Sequence, residues 1–580
     1  MTAPRVLAVR NSPTSGIGRL LSWLEEEGLS VTETDGVDAP DSPEGYDAVI
    51  LLGGGFLPDD DIHHPWLPRE RRLARRAVQD ETPLLGICLG GQLLAAAHAG
   101  TVKGDFGTPE RGSCSVTLLP DAADDRLLRG LHASFPVIQN HRDQITDLPE
   151  GAVHLAGSEA CPVQAFRLGA QAWGLQFHPE AGADRLARWD EAALTEEGLD
   201  LQPLRAEAER AEPDAARAAR KLIANFAAVV REHAATEPMV LDGHNDLPWA
   251  YRVHRDSSVA DFTGPAPAFH TDLPRLRAGR VGAQFWVAYV DCKDPAPVRS
   301  TLQQIDLVHR LIAAHPDDLR LAWNATDVRQ TMRQGRIASL LGVEGGHSIG
   351  DDLAVLRSFA RLGVRYMTLT HTSNTPWADS ATDTALNDGL SDRGREIVRE
   401  MQRLGILVDL SHVSAATMHD ALDVAEAPVI FSHSSCAAVN PHPRNVPDDV
   451  LARTAAGGGV LMLTFVPSFV SAEHWAWSRL PEAERDEADR PVVTVGQVAD
   501  HVEHAREVAG IAHIGLGGDY DGTPVLPPQL ADVAGYPALF DELRARHWAP
   551  AELRALASGN ILRVLADTDD AFEANRHRAD

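Results

Sequence analysis

The chain has 580 residues, 44% of them hydrophobic, and a formal net charge of -30; its length as a prior suggests two to four domains. No block of five or more like charges occurs, so the acidity is spread over the surface, which argues against nucleic acid and anionic membrane as partners. The lysines are Lys103, Lys221 and Lys293, none follows a glycine, and a phosphate-binding loop ending in Gly-Lys is thereby excluded together with the motors and kinases that use one.

The N-terminal stretch MTAPRVLAVRNSPTSG lacks an apolar segment with a cleavage site, and no run of about 18 apolar residues follows anywhere. Five scattered cysteines, an odd number, fit a reducing compartment and no disulfide framework. A cytoplasmic protein without membrane attachment is expected.

From Arg5 to about Phe226 strands alternate with helices: VLAVR, a helix from Ile17 to Glu27, YDAVILLGGG, a helix around Arg69 to Val78, then LLGI followed by GGQLLAAAHAG. Such alternation implies an α/β domain with a parallel, doubly wound open sheet. Ser115 to Leu119, Val153 to Ala156 and Ala172 to Phe177 add strands. In LLGICLGGQLL the strand stops at Gly86, Cys88 sits on the turn, and a helix N-terminus, which lowers a thiol's pKa, follows at once. A lone cysteine there is more often a buried inert thiol. WGLQFHPE, however, ends a later strand with His178 and Glu180, and cysteine, histidine and an orienting carboxylate form a nucleophilic triad.

GICLGGQ together with QFHPE resembles the class I glutamine amidotransferases and the related γ-glutamyl hydrolases, over about residues 4 to 230. The resemblance implies Cys88 as nucleophile, His178 as base and Glu180 as its orienter. LLGGG (Leu51 to Gly55) resembles the family's oxyanion loop, which implies that the amides of Gly54 and Leu89 hold the oxyanion and that Gln92 helps hold a glutamyl group.

Between Asp184 and Pro238, Leu222, Ile223, Phe226, Val229 and Val230 recur at helical spacing, so an amphipathic helix should pack on the first domain before the linker HAATEP. The expected domains are residues 1–235 and 236–580.

The second domain presents apolar strands at Met239 to Leu241, Ala283 to Val290, Ala338 to Val343, Tyr366 to Thr370, Ile406 to Leu410, Pro428 to Phe431, Gly459 to Phe465 and His513 to Leu516. Eight strand-helix units predict a (β/α)8 TIM barrel, with an open doubly wound sheet as the alternative. The chemistry-bearing residues fall at strand ends: His244 and Asp246 in LDGHNDLP, Glu344, His371, His412, His433, and Asp519 with Asp521. Singly, each reads as a loop cap. Together, at the C-terminal ends of parallel strands, they meet on one rim as a ligand set for zinc or a similar divalent ion. One four-coordinate zinc cannot use His244, Asp246, Glu344, His412 and His433 together, whereas two ions about 3.5 to 4 Å apart could share Glu344 and activate a water. Hydrolysis is the implied chemistry.

LDGHNDLP, GVEGGHS, TLTHTSNTPWADS, LVDLSHVS, FSHSSC, HPRNVPDD and GGDYDG resemble, in order and spacing, the renal or membrane dipeptidase family of zinc metallopeptidases, over roughly Met239 to Leu565. The resemblance implies two Zn2+ per chain: one on His244 and Asp246, the other on His412 and His433, bridged by Glu344. It further implies that His371 polarises the scissile carbonyl or its oxyanion, that Arg444 grips the substrate's free carboxylate, and that Asp519 moves the proton from the bridging water to the leaving amine, with Asp521 a neighbour behind it. Cys436, close to His433, reads as a small buried residue rather than a ligand.

Small peptides are the expected partners, and a homodimer is compatible with the sequence. Two readings of the fusion stay open. In one, Cys88 cleaves a γ-glutamyl amide and the barrel then cleaves the remaining dipeptide, such as a cysteinyl-glycine conjugate. In the other, Cys88 is a glutaminase serving a separate synthase. A non-catalytic regulatory first domain and a different amidohydrolase barrel are the rival classes.

Overall fold

The structure, a computed structural model, describes residues 2–260 and 262–579. The break between its two compact units falls between Glu237 and Pro238.

The first unit is built on one nine-stranded sheet. Across it lie Ser30–Asp35, Arg5–Arg10, Ala48–Leu51, Leu84–Ile87 and Ala172–Leu175, then Ala165–Leu168, Val153–Gly157, Glu110–Leu118 and Ser134–His141. The first group is mutually parallel. The rest pair antiparallel. The expectation of a parallel sheet therefore holds for the five strands from Ser30–Asp35 to Ala172–Leu175. Beyond it the chain turns back through hairpins such as Gly169 to Gln171, too short for the crossover that a parallel pair needs.

Alternation along the strands separates two cores. Val6 and Ala8 face a cluster containing Leu222, Ile223, Phe226, Val229 and Val230, while Leu7 and Val9 face Leu73, Leu93 and Leu94. The amphipathic stretch is one helix, Leu201–Ala234, and its five apolar residues are all buried in the first unit.

The second unit is a closed parallel barrel. Its eight strands are Val240–Asn245, Val281–Tyr289, Ile337–Glu344, Val364–Thr368, Leu407–Asp409, Ile430–Ser434, Val460–Leu463 and Ile514–Leu516. The last pairs back to the first through Asp242 and Leu516. A short extra strand, Leu319–Leu321, adds outside the ring on Ile337 to Ser339. In the third barrel strand Ala338 and Leu340 point inward while Ile337, Leu341 and Val343 meet the helices. Glu344 has the parity of Ala338 and Leu340, which sends it into the barrel mouth. Gly342 shares that inward face, where a Cβ would stand 2.3 Å from the Tyr366 ring, so only glycine admits this tyrosine to the barrel interior. Among the described residues no helix is long and apolar enough to cross a membrane.

Candidate active sites

In the first unit Cys88 joins the strand Leu84–Ile87 to the helix Leu89–Ala97 with φ 54° and ψ -109°. A non-glycine residue held there stores strain, and the sharp turn lifts the thiol off the sheet end. Its amide donates to Leu175 O at 2.7 Å, tying the turn to the strand that leads to His178. His178 Nδ1 lies 2.7 Å from Glu180 Oε1, so the carboxylate orients the ring. Gly53 closes the arrangement: a Cβ there would stand 3.4 Å from His178 Cε1 and 3.7 Å from Cys88 Cβ. One at Gly54 would clash with the Leu89 side chain at 2.5 Å, so the glycine loop and the helix start that should supply oxyanion amides are neighbours.

Gln92 is buried, with its amide donating to Asp143 O and Gln176 Oε1, both at 3.2 Å. Gln176, which the sequence reading passed over although it opens QFHPE, donates to Cys88 Sγ at 3.8 Å. Gln176 thus borders the thiol, and Gln92 holds Gln176 from behind.

Burial opposes charge on His178 most strongly, yet the Glu180 carboxylate and the neighbouring Cys88 outweigh it and push the imidazole up to about 10. Burial likewise opposes charge on Glu180, but His178 wins and holds it below the usual carboxylate range. A histidine raised in this way contributes stability in full below its unfolded value of about 6.5, and that contribution is lost as pH rises through about 10. A lowered glutamate contributes above its unfolded value of about 4.3, and loses it as pH falls through the depressed one. Glu180→Gln should therefore cost most between about pH 4.3 and 6.5 and progressively less toward pH 10, by about 2–4 °C in melting temperature per kcal/mol for a unit of this size. Thermal unfolding of both proteins across that range measures it; a pH-independent difference would refute the assignment.

At the mouth of the barrel, Glu344 gathers the imidazoles. Its Oε1 lies 2.9 Å from His412 Nε2, 3.5 Å from His433 Nε2, 3.6 Å from His244 Nε2 and 3.7 Å from His371 Nε2. The Nε2 atoms of His412 and His433 stand 3.0 Å apart. Asp246 Oδ2 and Asp519 Oδ1 reach His244 Nε2 at 3.4 and 4.0 Å. The ligand-type atoms form three overlapping groups: His244, Glu344 and His433; Glu344, His371 and His412; His244, Asp246 and Asp519. His412 and Asp519 adopt φ of 70° and 59°, again a left-handed conformation at site residues.

This donor set fits divalent cations. Burial and the neighbouring carboxylates Asp246 and Asp519 push Glu344 well above its usual range. Burial, with Arg444 and the other imidazoles, pushes His412 and His433 well below theirs. Crowded buried carboxylates and two histidines denied their protons are what a bound cation compensates. Burial opposes charge on His244 as well, but Glu344 and Asp246 outweigh it and push it up to about 10, so that a cation would there take the place of a proton. Asp246 Oδ1 and His244 Nε2 are buried without a hydrogen-bond partner among the described residues, as metal-facing atoms would be.

Arg444 is buried under Phe469, whose ring centroid is 5.1 Å away, and donates to Ser434 Oγ and His433 O at 3.4 and 3.3 Å. Its Nε has no partner among the described residues. Asp521 turns from the cluster and accepts the His270 amide at 2.7 Å. Cys436 is sealed away, its thiol against His501 O at 3.4 Å and pushed up to about 12 by burial. Two residues beside the cluster escaped the sequence reading. Cys292 Sγ is 3.9 Å from His371 Nδ1, and the Tyr366 hydroxyl is 2.9 Å from His244 Nδ1. Strand parity could have found Tyr366. A further group in the first unit, Glu110, His141 and Cys161, is a closed network, because Glu110 is already taken by His141, Ser158 and Gln164.

Two family models match the chain: Glutamine amidotransferase class-I over residues 23–187, and Membrane dipeptidase (Peptidase family M19) over residues 229–579. A solved metallopeptidase from Rhodobacter sphaeroides, liganded with a phosphinate mimic of the dipeptide L-Ala-D-Ala, is 25% identical, with 57% of this chain and 100% of that one covered and a TM-score of 0.51. The dipeptidase AC, a metallopeptidase of family M19, is 26% identical over 57% of this chain and 99% of its own, with a TM-score of 0.51. A glutamine amidotransferase from Thermotoga maritima is 31% identical over 39% of this chain and 99% of its own, with a TM-score of 0.36. Since the M19 match spans more than half of its length, the chain belongs to the membrane dipeptidase family, peptidase family M19, here preceded by a class I glutamine amidotransferase domain.

Proposed function

We propose that the barrel is a dinuclear zinc dipeptidase. The observation that carries this reading is the convergence of four imidazole Nε2 atoms on Glu344 Oε1, 2.9 to 3.7 Å away. His244 and Asp246 would hold one ion, His412 and His433 the other, and Glu344 both. Zinc bound there would lower the pKa of a water toward neutrality and polarise the scissile carbonyl. The chain's own groups do the rest. Burial, with Arg444 beside it, pushes His371 down to about 3, so its ring stays neutral and can donate one N–H to the developing oxyanion. Burial pushes Asp519 up to about 7, a value suited to receiving a proton and passing it to the leaving amine. The unpartnered Nε of Arg444 leaves donor capacity for a substrate carboxylate.

Arg444→Ala should therefore lower kcat/KM for dipeptides by about 10²-fold while zinc content is kept. A barrel that acted on cyclic amides or deaminated bases would be indifferent to a free carboxylate in its substrate, and comparing a dipeptide with its C-terminal amide on the wild type separates the two classes. Only the free dipeptide should be cleaved efficiently.

The first domain acts, in this reading, on a γ-glutamyl amide, with Cys88 attacking and His178 shuttling the proton. Supplying the zinc-loaded protein with glutamine and, separately, with a γ-glutamyl-cysteinyl-glycine conjugate tests the order of events. Glutamate from the tripeptide, followed by glycine whose release stops on chelation, supports two consecutive hydrolyses in one chain. Ammonia from glutamine with the tripeptide untouched makes the domain a glutaminase for a separate synthase.

A further inference from the structure

Behind the barrel's histidines, the buried hydrogen bonds run to one carboxylate. Asp409 ends the fifth barrel strand on the inward face it shares with Leu407, and it is fully buried. Its Oδ1 accepts the backbone amides of Ser411 at 3.0 Å and Ser432 at 2.8 Å. Its Oδ2 accepts the hydroxyls of Thr368 and Ser432, each at 2.6 Å. Surrounded by four donors, Asp409 only receives, and that fixes the direction of each contact leading to it.

Ser432 has a single proton, and its shortest contact gives it to Asp409. The hydroxyl oxygen, 2.9 Å from His433 Nδ1, must then accept from that ring, so His433 carries its hydrogen on Nδ1. The Tyr366 hydroxyl stands 2.9 Å from His244 Nδ1. Ser432 Oγ is itself 3.5 Å from His244 Nδ1. With its one proton on Asp409, Ser432 Oγ can only accept from His244 Nδ1, which places the hydrogen on that nitrogen too, and the Tyr366 oxygen is placed to accept the same hydrogen. Both rings are left with their Nε2 lone pairs turned to Glu344. His412 differs: its Nδ1 is buried without a partner among the described residues.

We propose that Asp409, acting through Ser432, is the positioning residue that fixes the tautomer and ring orientation of His433 and His244, with Tyr366 holding the His244 ring beside it, and that one buried carboxylate thereby sets the affinity for both metal ions. The inference rests on the dinuclear reading above, since it reaches one ligand of each ion. Asp409 hydrogen-bonds to Thr368, Ser411 and Ser432 and not to any of the proposed metal ligands themselves. Its Oδ1 contacts pin strand ends and would serve any barrel; its Oδ2 contact to Ser432 is the part that serves the histidines, and Ser432→Ala removes that part alone.

The test uses the full chain, stripped of metal, as wild type, Ser432→Ala, Asp409→Asn, the double variant and Tyr366→Phe. Zinc affinity is read by competition with a chromophoric chelator, and ring geometry by the visible bands of the cobalt-loaded protein. Each of Ser432→Ala and Asp409→Asn should weaken zinc by about 10- to 100-fold and shift the cobalt bands. The double variant should lose little more than either single one, because both act along one chain of contacts. Tyr366→Phe should weaken only one of two ions. Ser432→Thr, which keeps the hydroxyl, should bind zinc within a few-fold of wild type and guards against a mere folding defect in the alanine variant. Wild-type affinity in both single variants, or losses that add in full, would overturn the proposal. A wild-type protein that binds fewer than two ions would overturn the dinuclear reading instead.

Discussion

Glu344→Gln should abolish dipeptide hydrolysis, lowering kcat/KM by about 10³-fold or more, and should release metal under conditions where the wild type retains it. Four imidazoles converge on its Oε1, and Asp246 and Asp519 join the same cluster through His244 Nε2. An amide of the same shape keeps the packing but brings a donor or a neutral oxygen where an anion is needed. The accompanying stability measurement separates function from structure. In the metal-free protein, burial and Asp246 and Asp519 already disfavour charge on Glu344. Removing that charge should leave the metal-free melting temperature unchanged or higher. A large drop in stability would mean that Glu344 holds the barrel together rather than holding metal.

Cys88→Ala should eliminate glutamate release from glutamine or a γ-glutamyl peptide, a loss of about 10⁴-fold or more, because a nucleophile cannot be replaced by its neighbours. The same change should leave the barrel's dipeptidase kinetics within experimental error. The alanine must also occupy φ 54°, so little of the strain at the turn is relieved and the fold around it is kept. Equal rates in wild type and variant would demote the first domain to a binding module. Loss of dipeptidase activity as well would indicate that the two activities are coupled.

Both architectures were legible because their patterns are local. The eight barrel strands are short apolar runs with polar residues at their ends, and each of the eight segments read from the sequence overlaps an observed strand. The same residue types at the strand ends converge at the mouth. Closure of the ring follows from pairing between Asp242 and Leu516, far apart in sequence, which no local pattern records. Two strands of the first sheet were harder to see, one at its parallel edge and one in its antiparallel half. Ser30–Asp35 is a largely exposed edge strand, SVTETD, whose polar residues give no apolar run, and Ser134–His141 mixes buried and open positions.

Within the sites, the residues proposed to hold metal or substrate were easier to find than those that stand behind them. Gln176, Tyr366 and Asp409 lie inside runs that read simply as strand. Their partners Cys88, His244 and Ser432 are 88, 122 and 23 residues away. Gly342 is the exception that could have spoken, since a glycine on the inward face of a barrel strand announces a large side chain opposite.

Cys88, His412 and Asp519 share a left-handed backbone that glycine adopts without cost. A gene copy released from selection for catalysis would meet no resistance to glycine at these positions and some reward for it. Glycine at any of them in a related sequence would thus mark a lineage that has kept the scaffold and given up the reaction.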